Sequence, residues 1–338
     1  MRRFGWALLI LLLVVAGAGL WVYQDYQRFL NSTVTPPQSE WRYTVTRGAS
    51  IQRVTEDLQA NGVINHPWYL RIHARLSGDA RRIQAGEYRL HANMTPRQLL
   101  ADMVAGRVVQ YSLTVVEGWT FRQLMDALHN HPAITVTLDG LSDEQIMARL
   151  GLGQPEQNPE GWFLPETYHF PRSTTDLAFL RRAHNAMREA LDTVWAQRQA
   201  DLPFEQPYAA LILASIIEKE TGVAAERREV AGVFVRRLRR GMLLQTDPTV
   251  IYGLGAADFQ GPLLRSHLRQ DHPHNTYTRP GLPPTPIALP GRAALAAAVD
   301  PAPGDTLYFV ADGHGGHVFS RTLQEHNRAV QAYRRLSQ

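Results

Sequence analysis

The hydrophobic positions change period along the chain. From Phe4 to Tyr23 they are nearly continuous: twenty residues carry no formal charge, and eleven of them are Leu, Ile, Val or Phe. At helical rise such a run spans about 30 Å, the thickness of a bilayer's hydrocarbon core. The pattern predicts a membrane-spanning helix. Arg2 and Arg3 flank it on one side only, which by the positive-inside rule puts the N-terminus in the cytoplasm and everything after Tyr23 outside. Ala16-Gly17-Ala18 has the small-x-small form of a signal-peptide cleavage site. The apolar run continues past it through Leu20, Trp21, Val22 and Tyr23, whose aromatics suit a membrane interface, so residues 1–24 are expected to be an uncleaved anchor.

Residues 25–40 are polar towards their end (Asn31–Glu40, NSTVTPPQSE), with Pro36-Pro37, and read as a short stalk. Residues 41–113 predict a small α+β module. Tyr43–Thr46 alternates like a strand, Arg47-Gly48 turns it, and Ser50 caps a helix carrying Ile51, Val54 and Leu58 that Asn61-Gly62 ends. A second helix follows Pro67, with Tyr69, Leu70, Ile72 and Leu76 as its apolar positions. Gly86–Leu90 reads as a returning strand, and Thr95-Pro96 opens a helix with Leu99, Leu100 and Met103 on one face.

Residues 114–338 predict a larger mixed domain, making the whole α+β. Glu117-Gly118-Trp119 near its start is echoed by Glu160-Gly161-Trp162, which runs on through Phe163-Leu164-Pro165-Glu166-Thr167-Tyr168. Aromatic faces stack on sugars and carboxylates accept sugar hydroxyls, so this segment, Trp162 included, is a candidate for glycan contact. Burial of the same aromatics as a satellite core is the competing reading.

Ala209–Ile217 (AALILASII) has no charge and leads into Glu218-Lys219-Glu220-Thr221-Gly222. Length, Ala/Leu content and the closing glycine predict a buried helix. Glu218 shares a face with Ser215, Ala214 and Leu211, and Lys219 and Glu220 point elsewhere. Apolar neighbours and a helix C-terminus both disfavour the carboxylate, pushing Glu218 towards the protonated form of a general acid. The alternative is an exposed helix-end glutamate paired with an arginine. The next helix, to Arg240, carries an apolar stripe (Val230, Val233, Phe234, Leu238), and Arg236, Arg237, Arg239 and Arg240 in its last turns read as a solvated face. Beyond Gly241, proline-rich polar loops around 244–253 and 275–287 have the character of site-lining segments.

Composition narrows the chemistry. The 338 residues allow about two domains. There is no cysteine, which excludes disulfides, thiolate nucleophiles and zinc–thiolate or iron–sulfur sites. The net charge of +4 arises from well-mixed signs and, with the body outside the cytoplasm, argues against nucleic acid as a partner.

Three ordered motifs then carry a resemblance. Ala214-Ser215-Ile216-Ile217-Glu218-Lys219-Glu220-Thr221, Gln245-Thr246-Asp247-Pro248-Thr249-Val250-Ile251-Tyr252-Gly253, and Asn275-Thr276-Tyr277 with Gly281-Leu282-Pro283-Pro284 resemble the endolytic murein transglycosylases of the YceG-like family. The anchor and the two Glu-Gly-Trp segments match as well. Tyr43-x-Val45-x-x-Gly48-x-x-Ile51 resembles a LysM module, for which a spacer without ligand affinity is the alternative. The chain departs from the family pattern at His272-Pro273-His274, where Ser-Pro-Tyr is expected, and at Thr285, where Gly is expected.

The resemblance implies a lysozyme-like glutamate-bearing helix with Glu218 as the catalytic residue, acting on peptidoglycan glycan strands, with no cofactor and no metal. It also implies Gln245, Asp247, Tyr252, Asn275 and Tyr277 as sugar-holding candidates, a cytoplasmic (inner) membrane location with the body in the periplasm or extracytoplasmic space, and peptidoglycan synthases as partners. A lysozyme-type hydrolase would need a second carboxylate, for which Asp247 and Glu226 are the candidates the sequence offers. A non-catalytic peptidoglycan-binding scaffold is a further alternative. Metal ligation by His272-x-His274 or by Asp312–His317 is disfavoured, the latter reading as a hairpin loop between strands at 307–310 and 318–320.

Overall fold

The computed structural model describes residues 2–153, 158–255, 259 and 261–336, with residues 2–5 described by backbone alone. The side chains of Arg2 and Arg3, on which the expected orientation rests, lie outside that description. The chain divides into two compact units, Met1–Tyr111 with His169–Arg172 and Ser112–Tyr168 with Ser173–Gln338.

The first unit begins with one unbroken helix, α1 (Arg2–Asn31). Its large side chains from Trp6 to Tyr23 are exposed, and it is long and apolar enough to cross a membrane. The helix outlasts the apolar run, and Phe29, Leu30 and then Val34 are buried in the unit's core. Val34 N–H donates to Met94 O at 2.8 Å and Thr35 N–H to Val63 O at 3.0 Å. The segment expected to be a solvated stalk is therefore partly packed, because those three residues give it one apolar side.

There follow β1 (Glu40–Val45), α2 (Ile51–Ala60), α3 (Pro67–Leu76), β2 (Gly86–His91) and α4 (Pro96–Ala105). β1 and β2 pair antiparallel with Tyr43 opposite Tyr88, and Tyr43, Val45, Tyr88 and Leu90 face the core. Gly86 allows this pairing: at φ +150°, a Cβ would lie 2.4 Å from Val108 Cγ1. Ser50 caps α2 by accepting the Arg53 N–H, and Thr95 and Gln98 form a reciprocal capping box on α4. α3 departs from expectation. It buries Tyr69, Leu70 and Ala74, but Ile72 and Leu76 are 39% and 78% exposed.

The remaining elements are β3 (Gln110–Thr114), α5 (Phe121–His129), β4 (Ile134–Thr135), α6 (Asp143–Leu150), β5 (Thr167–Pro171), β6 (Thr174–Thr175), α7 (Asp176–Ala196), α8 (Pro207–Glu220), α9 (Arg227–Arg239), α10 (Asp247–Gly253), α11 (Arg265–Arg269), α12 (Arg292–Val299), β7 (Tyr308–Ala311), β8 (His317–Ser320) and α13 (Leu323–Leu336). Among the described residues the strands form two-stranded pairings. Helices build the second unit's core, with α8 at its centre. Every residue of α8 from Ala210 to Ile217 is buried, and α7, α9, α10 and α12 pack around it. A helix apolar on all sides is stable either across a membrane or in the middle of a domain, and α8, enclosed by four helices, takes the second place. The β7–β8 hairpin closes on Asp312, whose Oδ1 accepts from His314 N–H (2.7 Å) and Gly316 N–H (3.0 Å).

Of the four arginines expected to form a solvated face, Arg239 and Arg240 are exposed, but Arg236 and Arg237 are not. Arg236 and Arg237 are each only 8% exposed. Arg237 donates to the carbonyls of Leu307 (2.7 Å) and Leu244 (2.7 Å), and Arg236 to those of Thr306 (2.6 Å) and Ala302 (3.0 Å). These carbonyls belong to irregular chain, and a guanidinium with five donors satisfies several of them at once. Arg237→Ala should orphan buried carbonyls at about 1–3 kcal/mol each, and so lower the denaturant midpoint of the second unit clearly. The exposed Arg240→Ala should shift stability by no more than about 0.5 kcal/mol. Urea titrations of the two variants check this.

Candidate active site

Glu218 occupies the last turn of α8, and its side chain is 6% exposed. One turn earlier, Ser215 accepts the Ile287 N–H (3.0 Å) and donates to Ile212 O (2.7 Å), fastening residues 287–291 across the end of the helix. Gly291 N–H, at the start of α12, donates to Glu218 Oε2 at 2.9 Å. The carboxyl thus closes the C-terminus of one helix and meets the N-terminus of another. The first disfavours a negative charge and the second favours it.

Residues 117–119 cross the same segment. Gly118 N–H donates to Leu289 O (2.9 Å), and Leu289 N–H to Trp119 O (2.7 Å). Lys219 turns away from Glu218 to donate to Gly118 O at 3.2 Å. This arrangement sets Glu117 against Gly291 so closely that a Cβ there would lie 1.9 Å from Glu117 Oε1. Two carboxyl groups therefore flank one glycine, Glu218 bonded to its N–H and Glu117 over its Cα. On the third side, Arg227 Nη2 lies 3.9 Å from Glu218 Oε1. The buried Arg227 Nε has no hydrogen-bond partner among the described residues.

Burial raises the Glu218 pKa most, and the Glu117 charge raises it further. The Gly291 N–H, Arg227 and Lys219 pull it down, with a net result above the ordinary glutamate value. The site therefore holds a proton on Glu218 at higher pH than solvent would, beside an exposed carboxylate (Glu117) and a guanidinium with an unused donor. Glu117 and Arg227 were not singled out as site residues from sequence. The repeated Glu-Gly-Trp pattern was the available signal for Glu117, but its closeness to Glu218 depends on residues 287–291.

The other expected site residues separate into three places. Gln245, Asp247 and Tyr277 gather with Glu220, Arg237 and Tyr308 around a cavity of about 450 Å³. Two residues from Glu218, Glu220 points to the other side of the helix end and bonds the Thr246 hydroxyl. Tyr277 Oη donates to Asp247 Oδ1 at 2.5 Å. Gln245 sits at φ +51°, a left-handed conformation rare for a residue with a side chain, held by its N–H to Thr276 O at 3.1 Å. Tyr252 lies instead in a second cavity, of about 440 Å³, with Glu160, Arg122, His272 and His274.

Asn275 and Trp162 are interior residues. Asn275 is 1% exposed, and its amide donates to Gln270 O (2.7 Å), Leu268 O (3.2 Å) and His267 O (3.3 Å) while its oxygen accepts Tyr277 N–H (2.9 Å). These bonds shape the loop from His267 to Tyr277. Trp162 is 5% exposed and stacked on Tyr208, the satellite-core arrangement. The hydrolase candidates Asp247 and Glu226 are engaged elsewhere, Glu226 with His317 Nδ1 at 2.7 Å. The two departures from the family pattern meet: His274 Nε2 and Thr285 Oγ1 are 2.9 Å apart.

A family model described as YceG-like matches residues 43–332. An endolytic murein transglycosylase of Bacillus subtilis is 30% identical over 325 residues, covering 89% of this chain and 88% of its own. One from Streptococcus pneumoniae is 26% identical, covering 97% of this chain and 65% of its own. Among solved structures, a YceG-like protein of Listeria monocytogenes superposes with a TM-score of 0.53 at 28% identity, covering 86% of this chain and 98% of that one.

Two outcomes follow from the charges. Removing the Glu117 charge lowers the Glu218 pKa, so Glu117→Gln should move the alkaline limb of a pH–rate profile to lower pH. Arg227→Met removes a cation and should move it to higher pH. Separately, burial pushes Glu160 up to about 8. The stability this group contributes is fully present below about 4.5, its ordinary value, and declines as pH climbs towards about 8. Glu160→Gln should flatten that decline in thermal unfolding measured across the interval.

Proposed function

The chain belongs to the YceG-like family, and we propose that it is an endolytic murein transglycosylase anchored in the inner membrane by α1, with its N-terminus in the cytoplasm and its body in the periplasm. The reading rests chiefly on one observation: a buried glutamate bonded at the junction of two helices, beside an exposed carboxylate, where burial raises its pKa above the ordinary value. A glycosidic cut needs a proton on the leaving oxygen and a nucleophile at the sugar carbon. Glu218 would protonate the oxygen between N-acetylmuramic acid and N-acetylglucosamine. As carboxylate, still bonded by the Gly291 N–H, it would take the proton of the muramic C6 hydroxyl as that oxygen attacks its own ring carbon. The bond to N-acetylglucosamine breaks, a 1,6-anhydromuramic end forms, and no water is consumed. Arg227 would stabilise the carboxylate between the two proton transfers.

Gln245, Asp247 and Tyr277 would line the groove on the Glu220 side, and Tyr252 would contribute from the other cavity. Asn275 and Trp162 act in this reading by holding loop and core in shape. The strand–helix–helix–strand part of the first unit would bind glycan as a LysM-like module, and synthases at the membrane would supply the strands.

The position of Glu117 favours one second reading. An exposed carboxylate beside the acid could activate water, making the protein a hydrolase. Digestion of purified glycan strands separates the two. Wild type should leave anhydro ends by mass spectrometry, and Glu218→Gln should reduce cutting by at least about 10²-fold. Reducing ends, heavier by one water, would establish the hydrolase instead.

A further inference from the structure

The unexpected exposure on α3 has a consequence for how the first unit meets the bilayer. α3 packs on the upper part of α1. His66 lies edge-on to Phe29, and Tyr69 contacts both Phe29 and Tyr26. Tyr69 Oη bonds Asp25 Oδ2 at 2.8 Å, and His73 Nδ1 bonds Tyr26 Oη at 2.9 Å. From His66 against Phe29 to His73 against Tyr26 the contacts move down α1 as α3 advances, with Tyr69 between them spanning Phe29 to Asp25. The two helices are antiparallel, and α3 runs down α1 towards its apolar span.

Leu76 lies seven residues after Tyr69, on the same face, and about 4.5 Å beyond His73. That brings it level with about Tyr23, where the exposed apolar run of α1 ends. Leu76 is 78% exposed there, and Ile72 and Trp68, one and two turns back along an adjoining stripe, are 39% and 46% exposed. Exposed basic residues surround this end of the unit: Arg75 on α3 and Arg81 and Arg82 just beyond it. An apolar stripe ending in a leucine, with tryptophan above and arginines around it, is the composition of a helix that rests in a bilayer interface.

We infer that the C-terminal end of α3 is a second membrane contact, with Leu76 and Ile72 dipping into the headgroup–acyl boundary of the leaflet on the side of the body, and Arg75 and Arg81 meeting anionic headgroups. The inference rests on the reading of α1 as a membrane anchor. With α3 bonded to α1 through Asp25 and Tyr26, this contact fixes the tilt of the first unit over the membrane. It gives the otherwise costly exposure of Leu76 a function.

The absence of cysteine makes the test direct. Single cysteines placed at Leu76, at Trp68, at Leu12 inside α1, and at Gln59 near the opposite end of the α2–α3 hairpin carry an environment-sensitive fluorophore on the full-length chain. The labelled proteins are reconstituted into vesicles of phosphatidylcholine alone or with phosphatidylglycerol, containing lipids brominated near the top of the acyl chain. The inference expects blue-shifted, several-fold more quenched emission at Leu76 than at Gln59, an intermediate response at Trp68, and more quenching with phosphatidylglycerol present. A probe at Leu76 that behaves like one at Gln59 while Leu12 is quenched overturns the contact and leaves the anchor intact. That same result would point to a protein as what covers the stripe. An unquenched Leu12 overturns the anchor, and this inference with it.

Discussion

The second unit is organised by the need to bury α8 on every side. Eight consecutive buried residues leave only the helix end for chemistry, and they leave the Glu218 carboxyl with few ways to be solvated. The chain answers with residues 287–291, drawn across the helix end by Ser215 and by Glu218 itself. The backbone that satisfies Glu218 also opens α12, and it is the same backbone on which residues 117–119 dock. Core packing and active-site geometry are thus one constraint. Gly291 is its tightest point, since any side chain there would occupy the place of the Glu117 carboxyl.

Three glutamates of this unit, Glu160, Glu218 and Glu220, are held above their ordinary pKa, each mainly by burial. What distinguishes Glu218 is its company. Glu160 accepts from the Phe121 N–H, and Glu220 bonds the Thr246 hydroxyl, both local fastenings inside cavities. Glu218 has an exposed carboxylate on one side and an arginine with an unpartnered Nε on the other. Opposed influences of this kind keep a proton available without locking it in place, which is the requirement for one group to give a proton and then take one back.

Much of this was legible in the sequence, for reasons that are local. The Ser50 and Thr95 caps, the α8 run and the hairpin around Asp312 each depend on residues within a few positions of one another, and they stand where the pattern puts them. What the sequence did not yield depends on distant chain. Arg236 and Arg237 look like a solvated face until the carbonyls at 302–307 arrive to be satisfied. Leu76 continues the apolar spacing of α3 past the point where the unit has anything to cover it. The Glu117–Glu218 proximity needs a third segment, more than seventy residues beyond Glu218, and no periodicity announces it.

The central claim is that burial, and then the Glu117 charge, raise the pKa of the Glu218 carboxyl above that of an ordinary glutamate. Carbon-13 NMR of the protein labelled at glutamate side-chain carboxyls, with the Glu218 signal identified by its loss in Glu218→Gln, measures this directly. The account predicts a titration midpoint above that of ordinary glutamates, falling when Glu117 is replaced by Gln. A midpoint at or below the ordinary value, or one indifferent to Glu117, would contradict it.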